Sequence, residues 1–379
     1  AAMNAAVELD REVLGVHESR DFRSYQAFLR AARTHMEGAL VAQLRDSYDR
    51  ALASRVSAGR PDSQVEPATA EEALPVMEDL PEFRLYCWYY RHLQRFKYSR
   101  PDLGIVDTVN RERARLEQAL EQTASRAGPL LRLDPDLPVP EYFRMVDFHQ
   151  HPGGVAHDPL DGLVYEIGRR TTVPQHADPN GIYRLLFDAL PKDRAYARVL
   201  DWGIGHGQAL IAWQQLHPDS ECHGVDLSAP CLKLAHRRAV EHGYRFHLSQ
   251  QDLEHLDYPD GHFDLAFFNF MLHELPPSHT PALLKEACRV LTKGGLFAGH
   301  EFHLKPGDAF QNVMQRSHAW LNNETYSVPW YSTPIAELAR EAGFAKVSIQ
   351  PFERLIRSIP RTNGRSVSTS WWNLYVFEK

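Results

Sequence analysis

RVLDWGIGHGQAL, residues 198–210, sets Gly203, Gly205 and Gly207 directly behind an apolar run and ahead of a stretch that reads as a helix. The dinucleotide loop G-x-G-x-x-G would need its third glycine at Gln208 or Leu210, so that reading fails. The phosphate loop G-x-x-x-x-G-K-[ST] fails as well, because no glycine in the chain is followed by lysine. What remains is Asp-x-Gly-x-Gly-x-Gly from Asp201, a strand-to-helix turn with Asp226 closing the next apolar run. Alternating glycines allow unusual backbone angles and remove side chains that would keep a ligand off the main chain. An acid at the end of the second strand can accept hydrogen bonds from both ribose hydroxyls, each worth about 1.5–3 kcal/mol. The pattern predicts an adenine nucleoside with no pyrophosphate requirement.

Outward from this turn, short apolar strands alternate with helices as in a parallel α/β sheet. The predicted strands are ARVLDW, ECHGVDL, RFHLSQ, FDLAFFNF, GLFAGHEF, AKVSIQPF and a final WWNLYVFEK. Between them lie helical stretches such as GQALIAWQQLH, APCLKLAHRRAVEHG, TPALLKEACRVLT and TPIAELAREAG. Upstream, apolar residues at three- and four-residue spacing predict a mainly helical domain over residues 1–140, broken by a loop at SAGRPDSQVEPATAEEALP. The prolines of LDPDLPVPEYF mark its boundary. Residues 141–197 read as an irregular lid or linker with one short helix at NGIYRLLFDALP, and residues 198–379 as the ligand-binding domain.

With 379 residues, 43% hydrophobic and 24% charged, the chain has enough apolar material for two structural units. A formal net charge of −7 opposes binding to a phosphate backbone, so nucleic acid is not the expected partner. Cys87, Cys222, Cys231 and Cys288 form no C-x-x-C pair, which suggests neither a disulfide framework nor a thiolate zinc site. No apolar run approaches the roughly 20 residues of a membrane span, and no signal segment is legible. The expected setting is cytoplasmic, with no membrane partner; a homodimer stays open.

Further segments follow in a recognisable order. SQQDLEHL carries Asp252 and Leu253, YPDGHFDLAFFNFMLHEL carries Phe268, Asn269 and His273, and ACRVLTKGGLF and LAREAGFAKVSI complete the series. From Arg198 to Lys379 the chain resembles the class I S-adenosylmethionine-dependent methyltransferases. The resemblance implies a Rossmann-like seven-stranded sheet with the last strand antiparallel, S-adenosylmethionine as cofactor, and methyl transfer to a small-molecule acceptor. It places Asp201 and Gly203 beside the methionine end, Gly205 and Gly207 under the cofactor, and Asp226 with Leu227 at the ribose. Asp252 and Leu253 then meet the adenine, and Phe268 and Asn269 lie near the methionine. Trp202 and His206 depart from the usual small residues. The exit of the fourth strand, NFMLHELPP, is not Asn-Pro-Pro-Tyr, which weighs against amino-methylation of nucleic-acid bases.

His273 is a candidate general base because an imidazole titrates near neutral pH, although local packing beside Glu274 is the commoner role. In the lid, Tyr165, Arg169 and His176 are candidates to meet the cofactor carboxylate or the acceptor. His149, His151 and His157 in DFHQHPGGVAHD are loosely spaced for zinc or iron, and no carboxylate motif completes a site, so no metal is expected. RLYCWYYRHLQRFKYSR, with its interleaved aromatics and bases, reads first as a helix with a core face and solvated arginines; stacking on single-stranded nucleic acid, or a place for Trp88, Tyr89 or Tyr90 in an acceptor pocket, are the other readings. The segment between the fifth strand and the last helix, FHLKPGDAFQNVMQRSHAWLNNETYSVPWYS, is expected to wall the acceptor. Two alternatives stay open: attack on the cofactor's aminocarboxypropyl chain, releasing methylthioadenosine, and cofactor binding without turnover.

Overall fold

The computed structural model describes residues 15–57, 67–172, 180–352 and 372–379. Its centre is one eight-stranded sheet: β1 Leu131–Arg132, β2 Arg198–Trp202, β3 Glu221–Asp226, β4 His247–Gln250, β5 Phe263–Asn269, β6 Leu291–Phe302, β7 Lys346–Pro351 and β8 Trp372–Glu378. The order is β1-β4-β3-β2-β5-β6-β8-β7. β1 to β6 pair in parallel, and β8 runs antiparallel to both β6 and β7.

Period-two alternation puts successive side chains of a strand on opposite faces. Val199, Leu265 and Phe267 therefore join one apolar layer with Leu210 and Trp213 of the helix Gln208–Leu216 and Leu232 of the helix Ala229–Glu241. Leu200, Ala266 and Phe268 join the other, with Leu283 and Leu284 of Thr280–Val290 and Ala339 of Ile335–Glu341. Covered on both faces, the sheet leaves only its strand ends for a ligand, and β2 and β3 end at the glycine turn and at Asp226.

Three elements differ from the sequence reading. The sheet has eight strands instead of seven, because Leu131–Arg132 adds a parallel edge to β4 at the expected domain boundary. Two residues carry too little periodicity to be seen in sequence. The loop expected at SAGRPDSQVEPATAEEALP gives way at Thr69 to the helix Ala70–Glu78, which has a complete capping box between Thr69 and Glu72 and tolerates Pro75. Within 141–197, Asp161–Thr172 is a helix as well. Its Gly168 permits packing and makes no turn: a Cβ there would lie 2.4 Å from the Tyr98 hydroxyl.

The N-terminal helices Arg20–His35, Val41–Ser57, Ala70–Glu78 and Pro81–Ser99 build a core with Phe310, Val313, Met314 and Leu321 of the helix Ala309–Leu321. Phe22, Tyr98, Ile105 and Leu116 build another with Leu163, Ile167 and Leu234. The N-terminal helices thus share buried apolar clusters with the helix Asp161–Thr172 and with the segment after β6.

Candidate active site

Gly203, Gly205 and Gly207 all take positive φ, at 78°, 52° and 84°. Gly207 is the N-cap of Gln208–Leu216, and a Cβ on it would stand 2.9 Å from the Ala235 Cβ. Its bareness therefore serves helix-to-helix packing. Gly203 and Gly205 line a cavity together with Asp226, Leu227, Asp252, Leu253 and Asn269. The rest of its lining is Tyr142, Phe143, Phe148, His149, Val155 and Tyr165 from the segment before β2, Cys231, and Phe270, Met271, Glu274 and Leu275 after β5. About 870 Å³ of non-atom space lies among these residues, part of it open solvent.

Asp226 is fixed by backbone donors. Gly205 N–H donates to Oδ2 at 2.8 Å and Ser228 N–H to Oδ1 at 2.8 Å. Burial raises its pKa, and these donors offset part of that. A carboxylate offers about four lone-pair sites, so a ligand hydroxyl can join these donors. Ser228 in turn donates through its hydroxyl to the Val155 carbonyl, which ties the lid to the turn after β3. Asp201 at the end of β2 is 1% exposed, and Oδ2 has no hydrogen-bond partner. Burial, and then the neighbouring Asp226 charge, push its pKa well above the carboxylate range. Asn269 Oδ1 at the end of β5 is likewise buried and unpartnered. Buried acceptors without donors are costly, and a bound group carrying an ammonium and hydroxyls would satisfy them. S-adenosylmethionine has that donor set, so the residues present fit it.

Several expected site residues lie outside this lining. Asp201 sits beside it, Gly207 serves packing, and Phe268 is fully buried against Phe297 at 4.8 Å. Arg169 pairs with the buried Glu166 at 3.1 Å, as does His206 at 3.3 Å. Trp202 is core, edge-on to Phe297. His176 falls outside the described residues. His273 is 1% exposed and sits behind the cavity wall, with Nδ1 2.6 Å from Glu301 Oε1 and Nε2 3.5 Å from Glu274 Oε1. Burial disfavours its charged form, but Glu301 and Glu274 outweigh that and hold it well above the ordinary imidazole range.

The lid histidines separate. His151 stacks on Tyr98 at 5.3 Å, and burial, helped by His149 and Lys97, lowers it to about 3. His157 donates its backbone N–H to Asp161. Among the described residues no group of three His, Cys, Asp or Glu side chains is arranged to hold a metal ion. His149 alone lines the cavity, between Glu274 and Glu324. Nothing local in DFHQHPGG announces those partners, which lie 125 and 175 residues on.

Comparison with known proteins supports a class I S-adenosylmethionine-dependent methyltransferase. Residues 199–295 match the family described as "Methyltransferase domain". Among curated relatives, the demethylmenaquinone methyltransferase of Thermus thermophilus is 32% identical over 126 residues, 32% of this chain and 54% of that protein. A ubiquinone/menaquinone biosynthesis C-methyltransferase of Laribacter hongkongensis is 32% identical over 106 residues, 28% of this chain and 43% of that one. The carboxy-S-adenosyl-L-methionine synthase of Campylobacter hominis is 24% identical over 172 residues, 40% of this chain and 71% of that protein. The chain thus spans about half the length of the two methyltransferases. A solved phosphoethanolamine N-methyltransferase 2 of Haemonchus contortus, in complex with S-adenosyl-L-methionine, superposes with a TM-score of 0.45 at 17% identity, covering 64% of this chain and 60% of that one. Among the described residues no helix is long and apolar enough to cross a membrane.

Proposed function

We propose that this chain transfers the sulfonium methyl of S-adenosylmethionine to a small-molecule acceptor. The observation that carries the reading is one cavity lined by Gly203, Gly205, Asp226, Asp252 and Asn269 together with the aromatic rings of Tyr142, Phe143, Phe148 and Tyr165. The cofactor supplies an electrophilic methyl whose sulfur leaves as a neutral thioether. The chain binds and orients. Asp226 accepts from the ribose hydroxyls, Leu227, Asp252 and Leu253 border the adenine, and Asp201 and Asn269 receive donors at the methionine end. Tyr165 and the 142–155 strap keep water out and hold the acceptor in line.

Phe143, Phe148, Phe270, Met271 and Leu275 suit a small, partly apolar metabolite. Two relatives are named for menaquinone or ubiquinone biosynthesis, which favours an aromatic or quinone-like ring. We read His273 as a positioning residue that holds Glu274, since the two carboxylates beside it keep the ring protonated. His176 remains a candidate on sequence grounds alone.

Incubating the protein with S-adenosylmethionine and a panel of hydroxylated aromatic acceptors, then identifying the sulfur product, tests the reading. S-adenosylhomocysteine that forms only with acceptor supports it. Methylthioadenosine as the product overturns it in favour of attack on the aminocarboxypropyl chain.

A further inference from the structure

Apolar side chains on the helix Pro81–Ser99 form two faces. Phe83, Tyr86, Tyr90, Leu93 and Tyr98 are buried and serve the two N-terminal cores. Leu85, Trp88 and Phe96 share the other face, at helical spacing with His92 between the last two. Trp88 lies 4.5 Å from His92 and His92 5.6 Å from Phe96 between ring centroids, so the ridge runs unbroken over roughly 16 Å. The Tyr25 hydroxyl donates to the Phe96 carbonyl at 3.4 Å, which draws the helix Arg20–His35 alongside and sets Phe28, one turn past Tyr25, at the edge of the ridge. Phe28, Leu85, Trp88 and Phe96 are between 42% and 63% exposed. A contiguous apolar patch that serves no core marks a surface of interaction.

The charge around this ridge runs against that of the chain. The two helices carry eight arginines and lysines against two acids, whereas the whole chain has a formal net charge of −7. Lys97 is buried and Arg33 pairs with Glu37, and the other six reach solvent. Arg91 and Arg95 sit on the flank of the ridge, three residues beyond Trp88 and His92 respectively, and neither has an ion-pair partner among the described residues. Positive charge left unpaired beside exposed aromatics is what an anionic interface neutralises.

We propose that this ridge docks the protein on an anionic lipid surface. Phe28, Leu85, Trp88 and Phe96 enter the boundary between headgroups and acyl chains. The stems of Arg91 and Arg95 lie along the apolar edge, and their guanidinium groups meet lipid phosphates. No helix among the described residues is long and apolar enough to cross a bilayer, but lying on one requires only such a face. The docking is independent of the reaction that the cavity supports.

Other occupants fit less well. Two copies of the chain meeting through this face would set like charges against each other, which opposes association. The three half-exposed rings and Leu85 offer roughly 400 Å², half of the about 800 Å² that one side of a stable protein interface buries. A single-stranded nucleic acid stacks its bases on free aromatic faces, whereas Trp88, His92 and Phe96 lean on one another and Leu85 carries no ring. Hydrocarbon needs neither a slot nor a partner of matched shape.

Flotation of the full chain with vesicles of phosphatidylcholine alone, or of phosphatidylcholine and phosphatidylglycerol in equal parts, tests the docking. The anionic vesicles should bind at least about tenfold tighter at low salt, and the preference should shrink as salt is added. Arg91→Glu combined with Arg95→Glu should weaken that binding at least about tenfold, and Phe28→Ser combined with Phe96→Ser should weaken it by a similar factor. Lipids brominated along the acyl chain should quench the tryptophan fluorescence of the parent. Trp88→Phe, which keeps an apolar ring, should bind within about threefold of the parent yet lose most of that quenching. All these side chains reach solvent, so far-ultraviolet circular dichroism and the melting midpoint of each variant should match the parent. Failure to bind either vesicle, or equal affinity for both, overturns the proposal, and so does binding or quenching that the substitutions leave unchanged. Retention of single-stranded polyuridylate in place of vesicles overturns it in favour of nucleic acid. A dimer that Phe28→Ser with Phe96→Ser dissolves overturns it in favour of self-association.

Discussion

Asp226 is a cavity-lining carboxylate whose orientation is set by the backbone alone. Its two oxygens take the N–H groups of Gly205 and Ser228, so the carboxylate is locked in place at the end of β3. Asp226→Ala should weaken S-adenosylhomocysteine binding at least about tenfold by calorimetry, the loss of one charged hydrogen bond. His149 makes a different prediction, one about pH. Its folded pKa, about 9, lies above the ordinary imidazole value, so its ion pairs stabilise the fold fully below about pH 6.5. That contribution, on the order of 3 kcal/mol, is lost as pH rises through about 9. Chemical denaturation of the parent and of His149→Gln between about pH 6 and 10 should show a stability gap that is widest at the acid end and closes toward the alkaline end. Asp226 was legible in sequence because its spacing from the glycines is fixed by one strand-helix-strand crossover. His149 was not, because its role comes from Glu274 and Glu324, which only the tertiary fold brings to it.

Elements were legible where one period dominates. FDLAFFNF and ECHGVDL are short apolar runs bounded by polar turns, and β5 and β3 fall on them. The helix Ala70–Glu78 was hidden by its proline and by the small polar residues ahead of it, although Thr69-x-x-Glu72 is a start signal in its own right. Thr69 Oγ1 accepts from the Glu72 N–H at 3.3 Å, and the Glu72 carboxylate accepts from the Thr69 N–H at 3.3 Å. Thr69→Ala should cost about 1 kcal/mol, read as a lower denaturation midpoint at unchanged slope. The helix Asp161–Thr172 was hidden by Gly162 and Gly168, which read as loop residues and in fact let Pro230 and Tyr98 approach. Composition alone cannot tell a glycine that turns the chain from one that admits a neighbour.

At the scale of the whole molecule, the N-terminal helices are held to the sheet unit by a shared core. Phe310 lies on the segment between β6 and β7, is 2% exposed, and packs against Tyr48 of the N-terminal helices at 5.2 Å. Val313, Met314 and Leu321 extend the same cluster toward Leu44, Met77 and Tyr90. Two units joined only by a flexible linker would unfold independently, whereas units that share buried apolar area are coupled. The same helix runs into Asn322 and Glu324, which hold His149, so loosening this core should reach the cavity. Phe310→Ala should therefore destabilise by about 3–5 kcal/mol. Fluorescence and far-ultraviolet circular dichroism should report one coincident transition for the parent. In the variant, affinity for S-adenosylhomocysteine should fall although no cofactor-facing residue has changed, because strained His149 and the lid wall it anchors depend on that support. Independent transitions in the parent, or a destabilised variant that binds S-adenosylhomocysteine as the parent does, would show the N-terminal helices to be a passive appendage.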